Sequence, residues 1–319
     1  MSGDTLTILV PLYNDWESIK AFLRKLNLVA SEISVPHLRV VLVDDGSLTG
    51  HEASLDALEH DRIESIEVIR LVRNMGHQRA IAVGLVHLYQ ENTGGPVVII
   101  DGDGEDAPED IVKLLQAGEQ NSGGKIVFAE RTIRSEGCLF SAFYQLYRTM
   151  HYVFTGRRIR FGNFSVVPRE LLKPMVTVPE LWNHYAASVV AAKLPIVLVP
   201  TARAKRYQGR SKMSFIMLVT HGLSAIAVHR EVVCTRVLLM LGALASVLIF
   251  ALTAAAFSSP FQLAWLDATV IAGIIITLLT QILSIVLFLV FLILGNRDRY
   301  TFIPLRDCGV FIEGKYTVK

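Results

Sequence analysis

Short apolar runs alternate with amphipathic stretches over the first two thirds of the chain. The runs are rich in β-branched residues and predict five strands, at residues 5–10, 38–43, 66–71, 97–100 and 126–128. The stretches between them have helical spacing and predict four helices, at residues 16–30, 55–60, 78–90 and 108–120. Nearly continuous apolar strands that alternate with helices predict an α/β fold, with a mostly parallel sheet covered on both faces.

Two longer apolar runs follow in the last third of the chain. Residues 237–257 and 268–294 contain no charged side chain. Each is long enough for a helix to cross a hydrocarbon core of ~30 Å, which takes ~20 apolar residues. Two buried core helices are the alternative, but helices of soluble proteins rarely stay apolar on every face for this length. We therefore predict a globular domain at residues 1–213 and a two-helix transmembrane hairpin within residues 236–295.

Composition and charge agree with this division. Hydrophobic residues make up 52% of the 319 positions and charged residues 19%, which is too apolar for an ordinary soluble protein. Arginines flank the hairpin on its outer sides, whereas the connecting loop has no Lys or Arg. The positive-inside rule then places the globular domain and both termini in the cytoplasm. A net charge of only +2 argues against a nucleic-acid partner, and three widely spaced cysteines fit reduced thiols.

Two further segments flank the predicted hairpin, and a third lies earlier in the chain. Residues 214–235 mix an apolar face with charged residues and histidines, so they predict an amphipathic juxtamembrane helix or a helix packed on the globular domain. The aromatic-rich residues 139–154 are a second candidate for the membrane interface. The tail at residues 296–319 has strand-like alternation, which predicts a small cytoplasmic β-hairpin.

Polar and charged residues follow each of the five predicted strands. The clusters are residues 11–15, 44–47, 73–80, 101–109 and 130–134. In parallel sheets ligands bind beyond the carboxyl ends of the strands. Because loops are generally polar, one such cluster means little, but five in succession predict a binding site at one edge of the sheet.

Asp101 and Asp103 end the fourth predicted strand two residues apart, which directs both carboxylates to the same side of an extended backbone. Two carboxylates this close repel each other unless a cation lies nearby. Hard oxygen ligands suit Mg²⁺ or Mn²⁺, completed by phosphate oxygens and water. The alternative is a helix start at Pro108, with Asp106 as a capping acid. Glu105 could support a metal site or be solvated.

The other strand ends offer groups for a nucleotide. The carboxylate of Asp44 can accept an N–H from a nucleobase, although a turn-capping role is the alternative and suits Asp45 or Ser47 better. Arg131 and Arg134 can form charge-assisted hydrogen bonds to phosphates, and solvated arginines are the alternative.

Together these segments resemble the inverting family 2 glycosyltransferases with the GT-A fold, which is Rossmann-like. The motifs that carry the resemblance are PLYND at residues 11–15, VDDGS at 43–47, RNMGHQRA at 73–80 and the DxD motif in DGDGEDAPE at 101–109. RYQGRSKMSF at residues 206–215 resembles the basic segment before the membrane helices of polyprenyl-phosphate glycosyltransferases. Dolichol-phosphate mannose synthases and bacterial undecaprenyl-phosphate sugar transferases have a similar layout.

The resemblance implies a metal-dependent inverting enzyme of the bacterial inner membrane that uses Mg²⁺ or Mn²⁺. It implies metal ligation by Asp101 and Asp103 and a catalytic centre at Asp103, Asn163 and Arg131. The implied nucleotide-sugar site comprises Pro11, Tyr13, Asp15, Asp44, Asn74, Gly76, Arg79, Asp101 and Asp103. The implied site for the acceptor phosphate comprises Arg131, Arg134, Arg206, Ser211 and Lys212.

Asn163 departs from the family pattern, because relatives often have an aspartate in this segment. A neutral amide cannot act as a general base at pH 7. A phosphomonoester is already largely anionic near neutral pH and can attack without a base. A sugar hydroxyl would lose the 10²–10⁴-fold that general-base assistance typically contributes. Asn163 therefore favours a phosphate acceptor, unless Asp106 or Glu105 serves as the base.

The leading hypothesis is transfer of a hexose or uronic acid from a UDP-sugar, in preference to a GDP-sugar, to an undecaprenyl phosphate-like lipid with inversion. Such an enzyme could form a homo-oligomer such as a tetramer. The first alternative is a saccharide or a diacylglycerol-type lipid as acceptor, but the QxxRW signature of polysaccharide synthases is absent. The second is a binding protein without catalysis, against which the intact Asp101 and Asp103 argue.

Overall fold

The computed structural model describes residues 5–33, 36–48, 55, 60–92, 94–121, 124–133, 138–157, 161–208, 215–258, 263–295 and 302–318. Arg134, Ser211 and Lys212 of the predicted phosphate site lie outside these residues, as does most of the helix predicted at residues 55–60. The side chain of Arg131 also lies outside the description.

Eight strands form one sheet in the order β7-β5-β6-β4-β1-β2-β3-β8. Their bounds are β1 Thr5–Leu12, β2 His37–Asp44, β3 Ser65–Leu71, β4 Val97–Ile99, β5 Ile126–Ile133, β6 Phe161–Val167, β7 Ile196–Ala202 and β8 Ile312–Val318. Strands β4, β1, β2 and β3 pair in parallel, and so do β5 and β7. Strand β6 is antiparallel to both β4 and β5, and β8 is antiparallel to β3. The predicted mostly parallel sheet is confirmed.

Helices cover both faces of the sheet, as the apolar strands require. The helices of the globular part are α1 Trp16–Val29, α2 His77–Gln90, α3 Asp110–Gln120, α4 Cys138–Thr155, α5 Arg169–Val176 and α6 Tyr185–Ala191. One core cluster joins α1 and α3 to the sheet through residues such as Phe22 and Leu114. A second cluster joins α2, α5 and α6 to the opposite face. The α/β class is therefore confirmed, and the strands are fixed between two apolar layers.

Three helices precede the C-terminal tail, namely α7 Phe215–Ala227, α8 Arg230–Ser258 and α9 Leu263–Gly295. Ile226, Val233 and Phe291 form a small buried cluster that joins the three helices near the globular domain. Within the described residues, we find no helix segment that is both sufficiently long and sufficiently apolar to cross a membrane. The predicted bilayer crossing of residues 237–257 and 268–294 is thus not confirmed and stays a prediction.

The C-terminal tail returns to the globular domain. The short helix α10 Pro304–Asp307 and a 3-10 turn at Cys308–Phe311 lead into β8, which adds to the edge of the main sheet beside β3. Phe302 and Phe311 pack on the Trp182 ring, with centroids at 4.5 and 5.2 Å. In the described part of the tail, the strand therefore pairs with β3, in place of the separate hairpin that the alternation predicted. The edge of β3 offers unpaired backbone N–H and C=O groups to the tail strand. A short isolated hairpin is only marginally stable in water, so pairing with β3 is favoured.

A charged network lies at the amino end of the parallel strands, opposite the strand ends with the predicted motifs. Glu67 accepts hydrogen bonds from Arg39 and from His87 Nε2, the latter at 3.0 Å. Lys315 of β8 donates to His87 Nδ1 at 2.9 Å, and Arg39 also contacts Glu91 at 2.6 Å. Burial raises the pKa of Glu67, but the bonds from His87 and Arg39 outweigh it and hold that pKa at about 2.

The oxygen and nitrogen atoms of Glu67, His87 and Glu91 lie within 4.8 Å of one another, a spacing that a metal ion could use. Arg39 already bridges the two carboxylates, and Lys315 contacts the imidazole. The protein's own cations therefore neutralise this group, and we interpret it as a structural link between the tail and the sheet.

Replacement of Glu67 by Gln should destabilise the full-length protein at pH 7 by about 3 kcal/mol, because the pKa of Glu67 is lowered from 4.5 to about 2 and one pKa unit corresponds to about 1.4 kcal/mol. The folded-state pKa lies below the ordinary value of 4.5, so the wild-type advantage should be present above pH 4.5 and decline as the pH falls toward 2. Thermal unfolding from pH 7 to pH 3 measures this. Glu313→Gln, at an exposed ion pair with Arg70, is the control and should change stability little. If Glu67→Gln lost the same stability at every pH, the low pKa of Glu67 in the folded protein would be contradicted.

Candidate active site at the carboxyl edge of the sheet

The loops at the carboxyl edge of the sheet form one continuous polar surface. The chain leaves β1, β2, β3, β4 and β7 at this edge, because these strands run in the same direction. Strand β6 runs the opposite way, so its first residues, including Asn163, reach the same edge. The predicted motifs at residues 11–15, 43–47, 73–80 and 101–109 are therefore brought together, as expected for open α/β sheets.

The loops after β1 and β2 interlock through side chains. The Asn14 N–H donates to Ser47 Oγ at 2.8 Å, and the Leu48 N–H donates to Asn14 Oδ1 at 2.9 Å. Asn14 has a φ of 49°, a left-handed conformation that asparagine tolerates well. Asp44 is 1% exposed, and its Oδ1 accepts the Ser47 N–H at 3.0 Å. The carboxylate of Asp44 is thus held rigidly at the end of β2.

Asp45 joins this pair of loops to the loop after β3. Its two carboxylate oxygens accept the N–H groups of Met75 at 2.6 Å and Gly76 at 2.8 Å. Burial raises the pKa of Asp45, although the two backbone N–H donors oppose the rise. A Cβ on Gly46 would come within 2.5–2.8 Å of the Arg73 and Asn74 backbone, so the loops meet closely here. The VDDGS and RNMGHQRA motifs are therefore one structural unit.

The acidic pair predicted to bind metal lies at the end of β4. Burial and the nearby Asp101 carboxylate raise the pKa of Asp103 above its ordinary value. Asp101 Oδ1 lies 3.1 Å from His77 Nε2. The His77 ring keeps 41% of its surface exposed, so the loss of hydration that lowers its pKa is partial. Attraction by Asp101 outweighs it, and the pKa of His77 is raised.

These two carboxylates fit a divalent cation. They supply hard oxygen atoms at a strand end. The pKa of Asp103 is raised first by burial and then by repulsion from Asp101, and a cation would relieve that repulsion. Asp101 and Asp103 would hold Mg²⁺ or Mn²⁺ there, and the ion would supply positive charge to phosphate oxygens. Asp106 is 5% exposed and is a separate, buried group at the start of the α3 segment.

Asn163 belongs to a hydrogen-bond chain that fixes the orientation of its amide. The backbone N–H of Tyr185 donates to Gln78 Oε1 at 2.7 Å, which leaves the Gln78 NH₂ to donate to Asn163 Oδ1 at 3.2 Å. The Asn163 NH₂ therefore faces His77 Nε2, at 3.0 Å. Asn163 is held next to His77, beside the acidic pair. Its NH₂ can donate to His77 Nε2 only when that nitrogen carries no proton, which is the state in which His77 does not donate to Asp101. The neutral amide itself cannot take a proton.

A basic segment after β7, residues 203–208, lies across the acidic loop, and we call it the strap. Its backbone N–H groups at Ala204 and Tyr207 donate to the carbonyls of Glu105 and Asp103, both at 2.9 Å. Its side chains add ion pairs: Arg203 contacts Glu105, and Arg206 contacts both Asp103 and Glu105. The Tyr207 ring covers Gly104, which has a φ of 90°. The strap thus clamps the DxD loop against the sheet edge.

Other residues predicted from the motifs have different surroundings. Arg79 donates to the Met75 carbonyl at 3.0 Å and lies over the Trp182 ring at 5.4 Å, so it supports the loop after β3. Asp15 accepts a hydrogen bond from Ser18 at 3.0 Å, at the start of α1. Pro11 is a buried residue within β1, whereas Tyr13 is 37% exposed beside it.

Sequence reasoning missed three residues of this site. Asp45, His77 and Gln78 were not predicted to have site roles, although all three lie within the VDDGS and RNMGHQRA motifs. Their position within these motifs was the signal in the sequence that could have identified them as site residues. Their roles depend on contacts between loops that are far apart in the chain, as the 31-residue separation of Asp45 and Gly76 shows.

Helix α7 approaches this site from the side of the C-terminal helices. His221 of α7 stacks on His184, with ring centroids at 4.6 Å. Burial, with a smaller contribution from His77, lowers the pKa of His221 to about 4, and Asp101 opposes the shift. Helix α7 therefore packs on His184, next to Tyr185, whose backbone N–H donates to Gln78.

Comparisons with known proteins agree with the motifs. The profile of the family described as glycosyl transferase family 2 matches residues 7–173. Undecaprenyl-phosphate 4-deoxy-4-formamido-L-arabinose transferases of Sodalis glossinidius and Photorhabdus laumondii are each 26% identical, over 69% and 67% of this chain. The matches cover 66% and 64% of those relatives, so the chain spans slightly less than two thirds of their length.

Solved structures share the fold. Glucosyl-3-phosphoglycerate synthase from Mycobacterium tuberculosis, in complex with Mn²⁺, UDP and glucosyl-3-phosphoglycerate, superposes with a TM-score of 0.50 at 15% identity. The match covers 72% of this chain and 80% of the synthase chain. At this identity the likeness shows the fold, which is therefore of the α/β type predicted for residues 1–213.

Replacement of Gly104 by Ala should detach the strap from the DxD loop. A Cβ there would lie 2.7–2.8 Å from the Tyr207 ring, in a conformation that alanine rarely adopts. We expect a loss of about 1–3 kcal/mol of stability in thermal unfolding of the full-length protein. Gly94→Ala is the matched control, because its Cβ would meet no described atom within 4 Å. Equal stabilities of the two variants would show that the strap does not pack as described.

Proposed function

Since the chain belongs to glycosyl transferase family 2, we propose that it transfers a sugar from a nucleotide sugar to a polyprenyl phosphate, with inversion at the anomeric carbon. The observation that carries the proposal is the arrangement at the sheet edge. A carboxylate pair, a basic strap and a neutral Asn163 meet there, and the apolar helices α7 to α9 follow in the chain.

The donor is proposed to bind at the loops after β1, β2 and β4. Asp44 lies at the end of β2, where the Ser47 N–H holds one oxygen of its carboxylate, and it is proposed to recognise the base. Asp101 and Asp103 would hold Mg²⁺ or Mn²⁺ against the diphosphate, whose departure needs neutralisation of its developing charge. We propose a UDP-linked hexose or uronic acid as donor. The structural neighbour crystallised with Mn²⁺ and UDP supports the choice of metal and base.

The acceptor is proposed to be a lipid phosphate such as undecaprenyl phosphate. The name of the matched transferases supports this acceptor. The amide of Asn163 is held by Gln78 and faces His77, so this position provides no general base. A phosphate oxygen is already anionic and needs none. Arg206 of the strap pairs with Asp103, and it is proposed to bind the acceptor phosphate together with Arg131, Arg134, Ser211 and Lys212.

We further propose that the C-terminal helices anchor the protein in the bacterial inner membrane, with the globular domain and both termini in the cytoplasm. Large apolar side chains on α8 and α9 are exposed, among them Leu239 at 69%, Phe250 at 74% and Leu283 at 61%. Surfaces of this kind normally mark a membrane or protein contact. Assembly as a homo-oligomer, such as a tetramer, would leave the outer helix faces to lipid.

The purified full-length protein should form a lipid-linked sugar from undecaprenyl phosphate when supplied with Mn²⁺ and the correct nucleotide sugar. The donors to be tested are radiolabelled UDP-hexoses, a UDP-uronic acid, UDP-4-deoxy-4-formamido-L-arabinose and GDP-mannose. Asp103→Asn should lower the rate at least 100-fold, because the leaving diphosphate loses its metal. The product bond should be labile to mild acid, as a glycosyl phosphodiester is. An acid-stable product would indicate a hydroxyl acceptor, and no product with any donor would refute the proposal.

The proposed topology predicts which positions react from outside the cell. In a chain with its three cysteines replaced by serine, Ser258→Cys should react with a membrane-impermeant maleimide in spheroplasts, because it ends α8 and lies between the two apolar runs at residues 237–257 and 268–294. Glu313→Cys on the tail is the matched position and should react only after lysis. Labelling of both positions, or of neither, in intact spheroplasts would contradict a cytoplasmic tail joined to a membrane-crossing hairpin.

A further inference from the structure

Arg206 makes a contact that its predicted role as an acceptor-phosphate ligand does not explain. Its Nη2 donates to Asp103 Oδ2, and its Nε lies 3.4 Å from Glu105 Oε1. Both side chains of the Arg206–Asp103 pair are largely buried, at 22% and 17% exposure. Asp103 Oδ1 accepts the Glu105 N–H at 2.9 Å. Both oxygens of the Asp103 carboxylate are therefore already engaged by groups of the protein.

A divalent cation held by Asp103 would need one of these oxygens. The Oδ1 contact comes from a backbone N–H within the same tight loop, so that oxygen is constrained by the chain itself. The Oδ2 contact comes from the end of a long side chain, which can move by rotation about single bonds. Arg206 is therefore the partner that a metal would displace, and its positive charge would also repel a cation bound beside it.

The strap can remain in place while Arg206 moves. Two backbone hydrogen bonds, from Ala204 and Tyr207, hold it to the acidic loop independently of the arginine. The Arg203–Glu105 ion pair and the packing of the Tyr207 ring on Gly104 also remain. A guanidinium released from Asp103 stays next to the acidic loop, within reach of a phosphate group held there, and Arg binds phosphate oxygens well.

We propose that Arg206 competes with the divalent metal for the Asp103 carboxylate and that the diphosphate of the donor ends this competition by drawing Arg206 to its own oxygens. Arg206 is then a positioning residue that couples metal binding to donor binding. The metal binds weakly by itself and tightly together with the nucleotide. This inference rests on the proposed function, because it takes Asp103 as a metal ligand and a nucleoside diphosphate as the donor's leaving group.

The test measures Mn²⁺ binding to the purified full-length protein without any acceptor, by electron paramagnetic resonance of the free ion. Without nucleotide, Arg206→Gln should bind Mn²⁺ roughly 3- to 10-fold more tightly than the wild type, because a competing, partly buried ion pair is removed. Addition of UDP should tighten Mn²⁺ binding strongly in the wild type and much less in Arg206→Gln. Arg206→Lys, which keeps the charge, should resemble the wild type more closely.

Arg203→Gln is the matched control, since Arg203 contacts Glu105 and not Asp103 among the described contacts, and its Mn²⁺ affinity should stay within about twofold of the wild type. Thermal unfolding confirms that each variant is folded. Unchanged or weaker Mn²⁺ binding by folded Arg206→Gln would overturn the inference. Asp103→Asn distinguishes a failure of the proposed metal site from a failure of the proposed competition by Arg206. Loss of Mn²⁺ binding in that variant supports the metal site whatever Arg206 does, and retained binding overturns both the metal site and the competition.

Discussion

The partial burial of two neighbouring carboxylates, Asp101 and Asp103, is the constraint on which the arrangement of this site depends. Both acids end a short buried strand, and burial together with their mutual repulsion raises the pKa of Asp103. Such a pair is costly unless positive groups surround it. The protein supplies His77 to Asp101 and Arg206 to Asp103. His77 and Arg206 come from different parts of the chain, so their contacts with the acidic pair also fix where the loop after β3 and the strap must lie.

Asp45 and Gln78 give the same site its rigidity. Asp45 ties the loop after β2 to the loop that contains His77, through two backbone N–H groups. Gln78 transmits the position of the Tyr185 backbone to Asn163 and so determines which face of its amide meets His77. A hydrogen-bond chain of this kind is satisfied in one orientation only, which explains how an uncharged Asn163 can be held next to an acidic pair. The resulting centre carries the negative charge of the acidic pair and has no basic side chain at Asn163.

The tail connects this edge of the molecule with the far end of the sheet. After α9 the chain returns, packs Phe302 and Phe311 on Trp182 and adds β8 beside β3. Trp182 in turn lies under Arg79 of the loop unit that contains His77. The tail, for which the sequence suggested no role, thus supports the loop after β3 through Trp182. Lys315 of the tail also contacts the charged network at Glu67 and His87.

The amino-acid sequence by itself determined the α/β class, five of the eight strands and most of the motif residues of the site. The physical reason is local, since buried strands are apolar throughout and the acidic and glycine-containing turns directly follow them in the chain. Strands β6 and β7 were not predicted, and the strand β8 was predicted only as part of a separate hairpin in the tail. The roles of Asp45, His77 and Gln78 were not predicted either. Strand β7 lies at a sheet edge with alternating exposure, β8 forms only because β3 offers a free edge, and the three side chains act across loops distant in sequence. The pairing of Arg206 with Asp103 was likewise decided by tertiary structure, because only the parallel order of β4 and β7 in one sheet brings residues 103 positions apart to the same edge.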